Sequence, residues 1–155
     1  MNDILNTNFE MKLHALFILA ADAGNAMSID KIVAADFITS YGKEYGLSDR
    51  NLHGDTPYKF SEIPVKRELI TDAISTAVLD GLVEFIPSME SGMLYKINFK
   101  GIDFCNSFKT SYAREYAEQA NKAISYLNAL TDAEVLSFLN AHAVSSLKKG
   151  ISADE

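Results

Sequence analysis

The spacing of hydrophobic residues predicts three helices in the first half of the chain. Apolar side chains recur every three or four positions over Asn8–Ala23, Ser28–Tyr45 and Ser61–Leu79, the period of an α-helix with one buried face. In the first helix the apolar stripe widens almost to a full circle, so we expect that helix to lie at the centre of the core. Ser28 is a suitable N-cap for the second helix, and Gly46 ends it.

The pattern then changes from helical spacing to a hairpin. Two short runs rich in β-branched and aromatic residues, Leu82–Ile86 and Met93–Phe99, are joined by turn-forming residues. Helical spacing returns and continues unbroken over Gly101–Leu130. Thr131–Glu134 has the spacing of a capping box, so we expect a final helix from there to about Lys149.

Three helices followed by a hairpin is the order of a winged helix. The predicted fold is mainly α, with a winged helix of three helices and a β-hairpin wing over residues 8–100. An extension over 101–149 adds a long C-terminal helix and a short final helix. The 155 residues contain no internal repeat and no Pro- or Gly-rich linker, so a single domain over 1–155 is expected.

Net charge and composition exclude several classes of protein. The formal charge of −7 argues against broad attraction to nucleic acid, because phosphate binding requires a dense basic surface. No apolar stretch approaches the ~20 residues that cross a bilayer, and the N-terminus lacks the basic region of a secretory signal. The single cysteine, Cys105, is interpreted as a small buried apolar residue. These features favour a cytoplasmic protein without a membrane partner.

The residue types that carry catalysis or hold cofactors form no recognisable set. His14, His53 and His142 fall on three different elements without a ligand pattern, and no phosphate-binding glycine motif occurs. His53 and Asp55 lie close together in the loop Leu47–Phe60, but the chain has no nucleophile motif to accompany them. We therefore interpret this loop as structural or as a protein contact, and predict no metal, no cofactor and no enzymatic activity.

Direct DNA reading would need basic residues on the third helix. Between positions 61 and 80 the chain has two basic residues against four acidic ones, so this helix would be repelled by phosphate. The alternative is a winged-helix transcription regulator that places Lys59, Lys66, Lys96 and Lys100 on phosphates. It predicts binding to duplex DNA that falls steeply with salt.

The long fourth helix carries large aromatic side chains, Phe108, Tyr112 and Tyr116. Rigid aromatic surfaces of this kind are enriched at protein interfaces. The same residues are equally suited to cover the three-helix core. Both interpretations remain open from the sequence.

Four segments resemble a known family: Asp36–Ile38, the loop Asn51–Tyr58, Val65–Ile70 and Asp80–Val83. They are similar to the small middle component of ABC three-component systems, including the related Lamassu anti-phage and anti-plasmid systems. The resemblance implies a winged-helix-like accessory subunit that accompanies an SMC-like coiled-coil ATPase and an effector, often a nuclease. It brings no catalytic residue to this chain.

The resemblance and the acidic third helix together lead to one hypothesis. The chain is expected to be a non-catalytic adaptor that bridges the ATPase to the effector and helps control it, with DNA reached indirectly through the complex. We expect two contact surfaces. The first comprises His53, Pro57, Arg67 and Glu68, and the second comprises Tyr112 and Tyr116.

Overall fold

The computed structural model describes residues 2–52 and 62–141, with the side chains of 8–52 and 63–141. The described chain is mainly helical with one two-stranded antiparallel sheet, as predicted. The elements in chain order are α1 (Asn2–Ala21), α2 (Ile29–Ser40), a short 3-10 helix (Gly42–Tyr45), α3 (Glu62–Leu79), β1 (Val83–Ser88), β2 (Gly92–Ile97), α4 (Phe99–Asn106), α5 (Ser111–Asn128) and α6 (132–141).

Helix α1 lies at the centre of the core, as its wide apolar stripe predicted. It packs against α2, α3, α4 and α5. Because neighbours surround it on several sides, Ala15, Leu16, Ile18 and Leu19 are all completely buried. Within the described residues, none of the helices is both long and apolar enough to cross a membrane.

Helix α2 begins as predicted and ends earlier than predicted. The Ser28 hydroxyl accepts a hydrogen bond from the Lys31 amide at 3.2 Å, which is the predicted N-cap. The helix ends at Ser40 because the Ser40 carbonyl accepts a bond from the distant Leu52 amide at 3.0 Å. A continuing α-helix would give that carbonyl to residue 44. The chain instead turns into the 3-10 helix and leaves it through Gly46, whose φ of 70° is left-handed.

The hairpin has a shorter turn than predicted, and both strands are shifted along the chain towards that turn. Val83 pairs with Ile97 at its base and Ser88 with Gly92 at its tip, so only three residues form the turn. Beyond the hairpin, Met27 pairs with Tyr95 through two backbone hydrogen bonds of 2.8 Å. The segment between α1 and α2 therefore holds β2 on the side opposite to β1.

The predicted unbroken helix over 101–130 is wrong, because the chain breaks between α4 and α5. Asn98 caps α4 by accepting from the Gly101 amide at 3.0 Å, and Thr110 caps α5 by accepting from the Ala113 amide at 3.1 Å. At the break, Phe108 packs against Phe104, with ring centroids 5.2 Å apart. The break also lets α5 turn to pack against both α1 and α2.

The predicted capping box of the final helix is confirmed. The Thr131 hydroxyl accepts from the Glu134 amide and the Glu134 carboxylate accepts from the Thr131 amide, both at 3.2 Å. Val135 and Leu139 bury the inner face of α6. The rest of the predicted helix, from 142 to Lys149, lies outside the described residues.

Candidate functional site

Two residues of the first predicted contact surface, Arg67 and Glu68, lie on α3. Arg67 is partly exposed and its guanidinium lies 2.5 Å from the Asp30 carboxylate at the start of α2. Glu68 is exposed beside it. His53 and Pro57, the other two residues predicted for this surface, lie outside the described residues. Arg67 and Glu68 therefore remain candidates for a partner contact.

The predicted surface on the fourth helix is divided by the structure. Tyr116 is completely buried and packs in the core. Its predicted place on a partner surface is therefore wrong, and the alternative interpretation, that it covers the three-helix core, applies. The cause is the break at residues 107–110, which orients α5 so that Tyr116 faces α1 and α2. Tyr112, one turn earlier, is 36% exposed and remains a candidate contact.

Tyr116 belongs to a buried polar cluster between α1, α2, α3 and α5, which we call the Asp36 cluster. Its members are Asp36, His14, Lys66, Tyr116 and Tyr112. The Tyr116 hydroxyl donates to Asp36 Oδ1 at 2.6 Å, and Lys66 Nζ donates to Asp36 Oδ2 at 2.8 Å. His14 Nδ1 lies 3.3 Å from Asp36 Oδ1, and His14 Nε2 is 3.0 Å from the Tyr112 hydroxyl. The cluster thus joins four helices through one carboxylate.

Burial and charge set the protonation of this cluster. Burial alone would raise the pKa of Asp36, but Lys66 and then His14 act in the opposite direction and hold that pKa well below its usual range. Burial, followed by the charge of Asp36, raises the pKa of Tyr116 well above its ordinary value. Asp36 is therefore a carboxylate, and Tyr116 is a neutral hydroxyl that donates to it.

The connectivity of Asp36, His14 and Tyr112 resembles that of a hydrolytic triad, but its chemistry does not. A nucleophile is activated by an adjacent general base or by a lowered pKa. Burial, followed by the carboxylates of Glu10 and Asp36, raises the pKa of the Tyr112 hydroxyl. The His14 ring is also stacked on the Tyr116 ring at a centroid distance of 4.1 Å, which leaves it packed inside the protein. The cluster is suited to positioning helices rather than to attack on a substrate.

The described side chains offer no further reactive or metal-binding site. Those of 8–52 and 63–141 contain no group of three or more His, Cys, Asp or Glu residues that could hold a metal ion. Cys105 is buried, as predicted, and burial raises the pKa of its thiol to about 12. A thiol with this pKa is a poor nucleophile at neutral pH.

The exposed face of α3 is acidic, and the two basic residues near its start are already paired. Lys66 is bound to buried Asp36, and Arg67 is bound to Asp30. Glu68 and Asp72 are exposed on the same helix. A phosphate backbone would meet the carboxylates of this face before it met a cation.

The Lys66 ion pair connects two of the segments singled out in the sequence, Asp36–Ile38 on α2 and Val65–Ile70 on α3. Residues 4–149 match the model of a family described as ABC-three component (ABC-3C) system Middle Component 2. The chain belongs to this family. The match confirms the predicted resemblance, and it covers residues 8–100 and the C-terminal extension alike. No curated protein and no solved structure matches this middle component.

The Asp36 cluster was missed as a unit by sequence reasoning. In the sequence, Asp36 stands out only as part of a segment that carries the family resemblance, and His14 only as one of three scattered histidines. The available signal was that both residues interrupt strongly apolar helices, since a charged or polar side chain at such a position needs a buried partner.

Proposed function

We propose that this middle component is a non-catalytic adaptor in a cytoplasmic defence complex against phages or plasmids. It bridges an SMC-like coiled-coil ATPase to an effector nuclease and helps control that effector. The observation that carries the proposal is the family match over residues 4–149, since a middle component of a multi-component system has protein partners.

The charges on α3 support a protein partner over DNA. In a winged-helix regulator the third helix would present cations to the duplex. Here Lys66 is largely buried against Asp36, and Arg67 is paired with Asp30, so neither cation is available without breaking an ion pair. We therefore propose that α1 to α3 and the hairpin form a winged helix used for protein contact. The bond between Met27 and Tyr95, which fastens the hairpin to the helices, supports this assignment.

The assembly itself can be tested by co-purification. The tagged chain is expressed with the proteins encoded beside it and analysed by gel filtration at moderate salt. We expect a large coiled-coil ATPase to co-elute in fixed proportion. Recovery of the chain alone, together with a mobility shift on duplex DNA that disappears as salt is raised, would replace the adaptor by the transcription regulator.

The contact surfaces can be tested within the same complex. Glu68→Lys on α3 and Tyr112→Ala on α5 should each weaken assembly. Glu118→Lys, also exposed on α5, is the control for charge reversal. Thermal unfolding of each isolated variant shows that the fold is kept. Full co-purification of both contact variants would show that these surfaces are wrong while leaving the adaptor function intact.

A further inference from the structure

A cleft of about 370 Å³ opens between the hairpin, the start of α2 and the start of α6, and we call it the wing cleft. This volume lies within the range of sites that hold small ligands or a few side chains. Its apolar lining includes Met27 and Val135, which are buried, and Leu94 and Leu136, which are not. Leu136 is 45% exposed, a large fraction for a leucine that lines a concave surface.

The walls of the wing cleft are held in place by contacts within the fold. The hairpin wall is held to the segment before α2 by the paired backbone bonds of Met27 and Tyr95. The α6 wall is held by Val135 and Leu139, whose side chains are buried in the core. A cleft with fixed walls loses little conformational entropy when a partner enters it.

The rim of the wing cleft is acidic. Glu90 on the hairpin turn and Asp132 at the start of α6 are both exposed, and neither forms an ion pair with the described part of the chain. Among the described residues, Lys31 is the one cation that lines the cleft, and its ammonium has partners other than Glu90 and Asp132. Its ammonium donates to Asn128 Oδ1 at 2.6 Å and lies 3.9 Å from Asp22 Oδ2. The cleft thus combines apolar side chains with two exposed carboxylates, Glu90 and Asp132, while its third carboxylate, Asp30, is paired with Arg67.

We propose that the wing cleft binds a segment of another protein of the system in which an apolar side chain is flanked by lysine or arginine. This proposal rests on the adaptor function and names the chemistry of one partner segment. The apolar side chain is placed against Leu94 and Leu136, and the flanking cations are placed against Glu90 and Asp132. Charge complementarity of this kind guides association and selects the partner. A nucleic acid is disfavoured because its phosphates would meet the same two carboxylates.

The test uses the complex assembled from the full chain and the co-expressed components. Leu136 is replaced by the photo-crosslinking residue p-benzoylphenylalanine, and the crosslinked peptide is identified by mass spectrometry. Separately, Glu90→Lys with Asp132→Asn is compared with Glu84→Lys with Glu118→Gln, which makes the same change in net charge at exposed positions outside the cleft. The affinity of each variant for the partner component is measured at two salt concentrations.

We expect a crosslink to another component at a segment with lysine or arginine beside an apolar residue. We also expect the cleft variant to lose about tenfold in affinity, chiefly at low salt, while the control changes less than about twofold. A crosslink to a second copy, to this chain's own residues or to an acidic segment would overturn the proposal. So would equal affinities of the two variants. If the unmodified chain assembles with no component, the adaptor function fails and the cleft proposal fails with it.

Discussion

Replacement of Lys66 by methionine tests whether the Asp36 cluster holds the helices together. Methionine keeps most of the side-chain volume and removes the ammonium that donates to Asp36 Oδ2. Asp36 is completely buried, and the Lys66 side chain is 14% exposed. The variant therefore leaves a buried carboxylate without its strongest opposite charge, although Tyr116 and His14 still contact it.

The expected cost follows from the burial of the pair. Removing one partner of a buried ion pair costs about 3–5 kcal/mol. Because the other contacts to Asp36 remain, we expect the lower end, about 3 kcal/mol, for Lys66→Met. For a domain of this size that loss lowers the Tm by about 6–12 °C. The double variant Lys66→Met with Asp36→Asn should recover much of the stability, since it removes the unpaired charge as well.

The effect should also depend on pH. The folded pKa of Asp36 lies below its ordinary value of 3.8, so the unfolded chain binds the proton first on acidification. The stabilisation by Lys66 is therefore fully present above that value and is lost as pH falls below it. The difference in the free energy of unfolding between the parent chain and Lys66→Met should therefore decrease on acidification, by up to about 1.4 kcal/mol per pH unit in that range.

Urea unfolding followed by circular dichroism measures these differences at neutral and acidic pH. Lys109→Met, at an exposed position between α4 and α5, is the matched control and should change stability by less than about 0.5 kcal/mol. The reasoning would be refuted by a loss below about 1 kcal/mol in Lys66→Met, or by a double variant no more stable than the single one.

Three further predictions concern stability and are all measured by thermal or urea unfolding. Tyr116→Phe removes the donor to Asp36 and should cost about 1.5–3 kcal/mol, with a loss under 0.5 kcal/mol contradicting the bond. Thr110→Ala removes the cap of α5 and should cost about 1 kcal/mol, whereas Thr110→Ser should cost much less. Gly101→Ala should destabilise strongly, because a Cβ would lie 2.5 Å from Ile97 Cγ1 and closer still to the Leu82 carbonyl oxygen; an unchanged Tm would contradict this close approach.

Local features of the fold could be read from the sequence, and contacts between distant segments could not. The caps at Ser28 and Thr131 were predictable because each depends on residues within one helical turn. The early end of α2 was not, since it depends on a bond from the Leu52 amide to the Ser40 carbonyl. Thr110 is a local cap that was nevertheless missed, because the apolar spacing continues through it.

The one property of the candidate site that could be predicted from the sequence was the charge of its exposed surface. The acidic character of α3 was visible from composition alone. The sequence left two interpretations open for Tyr116, a partner surface and the core, and its contacts with residues of distant helices decide for the core. The Asp36 cluster combines residues from four helices. The sequence does not show which of these polar side chains will pair with one another. The wing cleft likewise brings the hairpin turn next to the start of α6, although some 40 residues separate them.

The pairing of Met27 with Tyr95 has a consequence for self-association of the hairpin. Since Tyr95 directs its backbone groups towards Met27, its pairing with Phe85 is of the non-hydrogen-bonded kind, and the alternation places Pro87 in the same class. Among the described residues β1 pairs only with β2, so Phe85 and Pro87 turn their backbone groups to an open edge. Proline has no amide hydrogen to donate there, which interrupts the edge as a template for a strand from another molecule. The hairpin exposes the apolar side chains of Phe85 and Met93. Pro87 nevertheless lowers its tendency to polymerise through the backbone edge of β1.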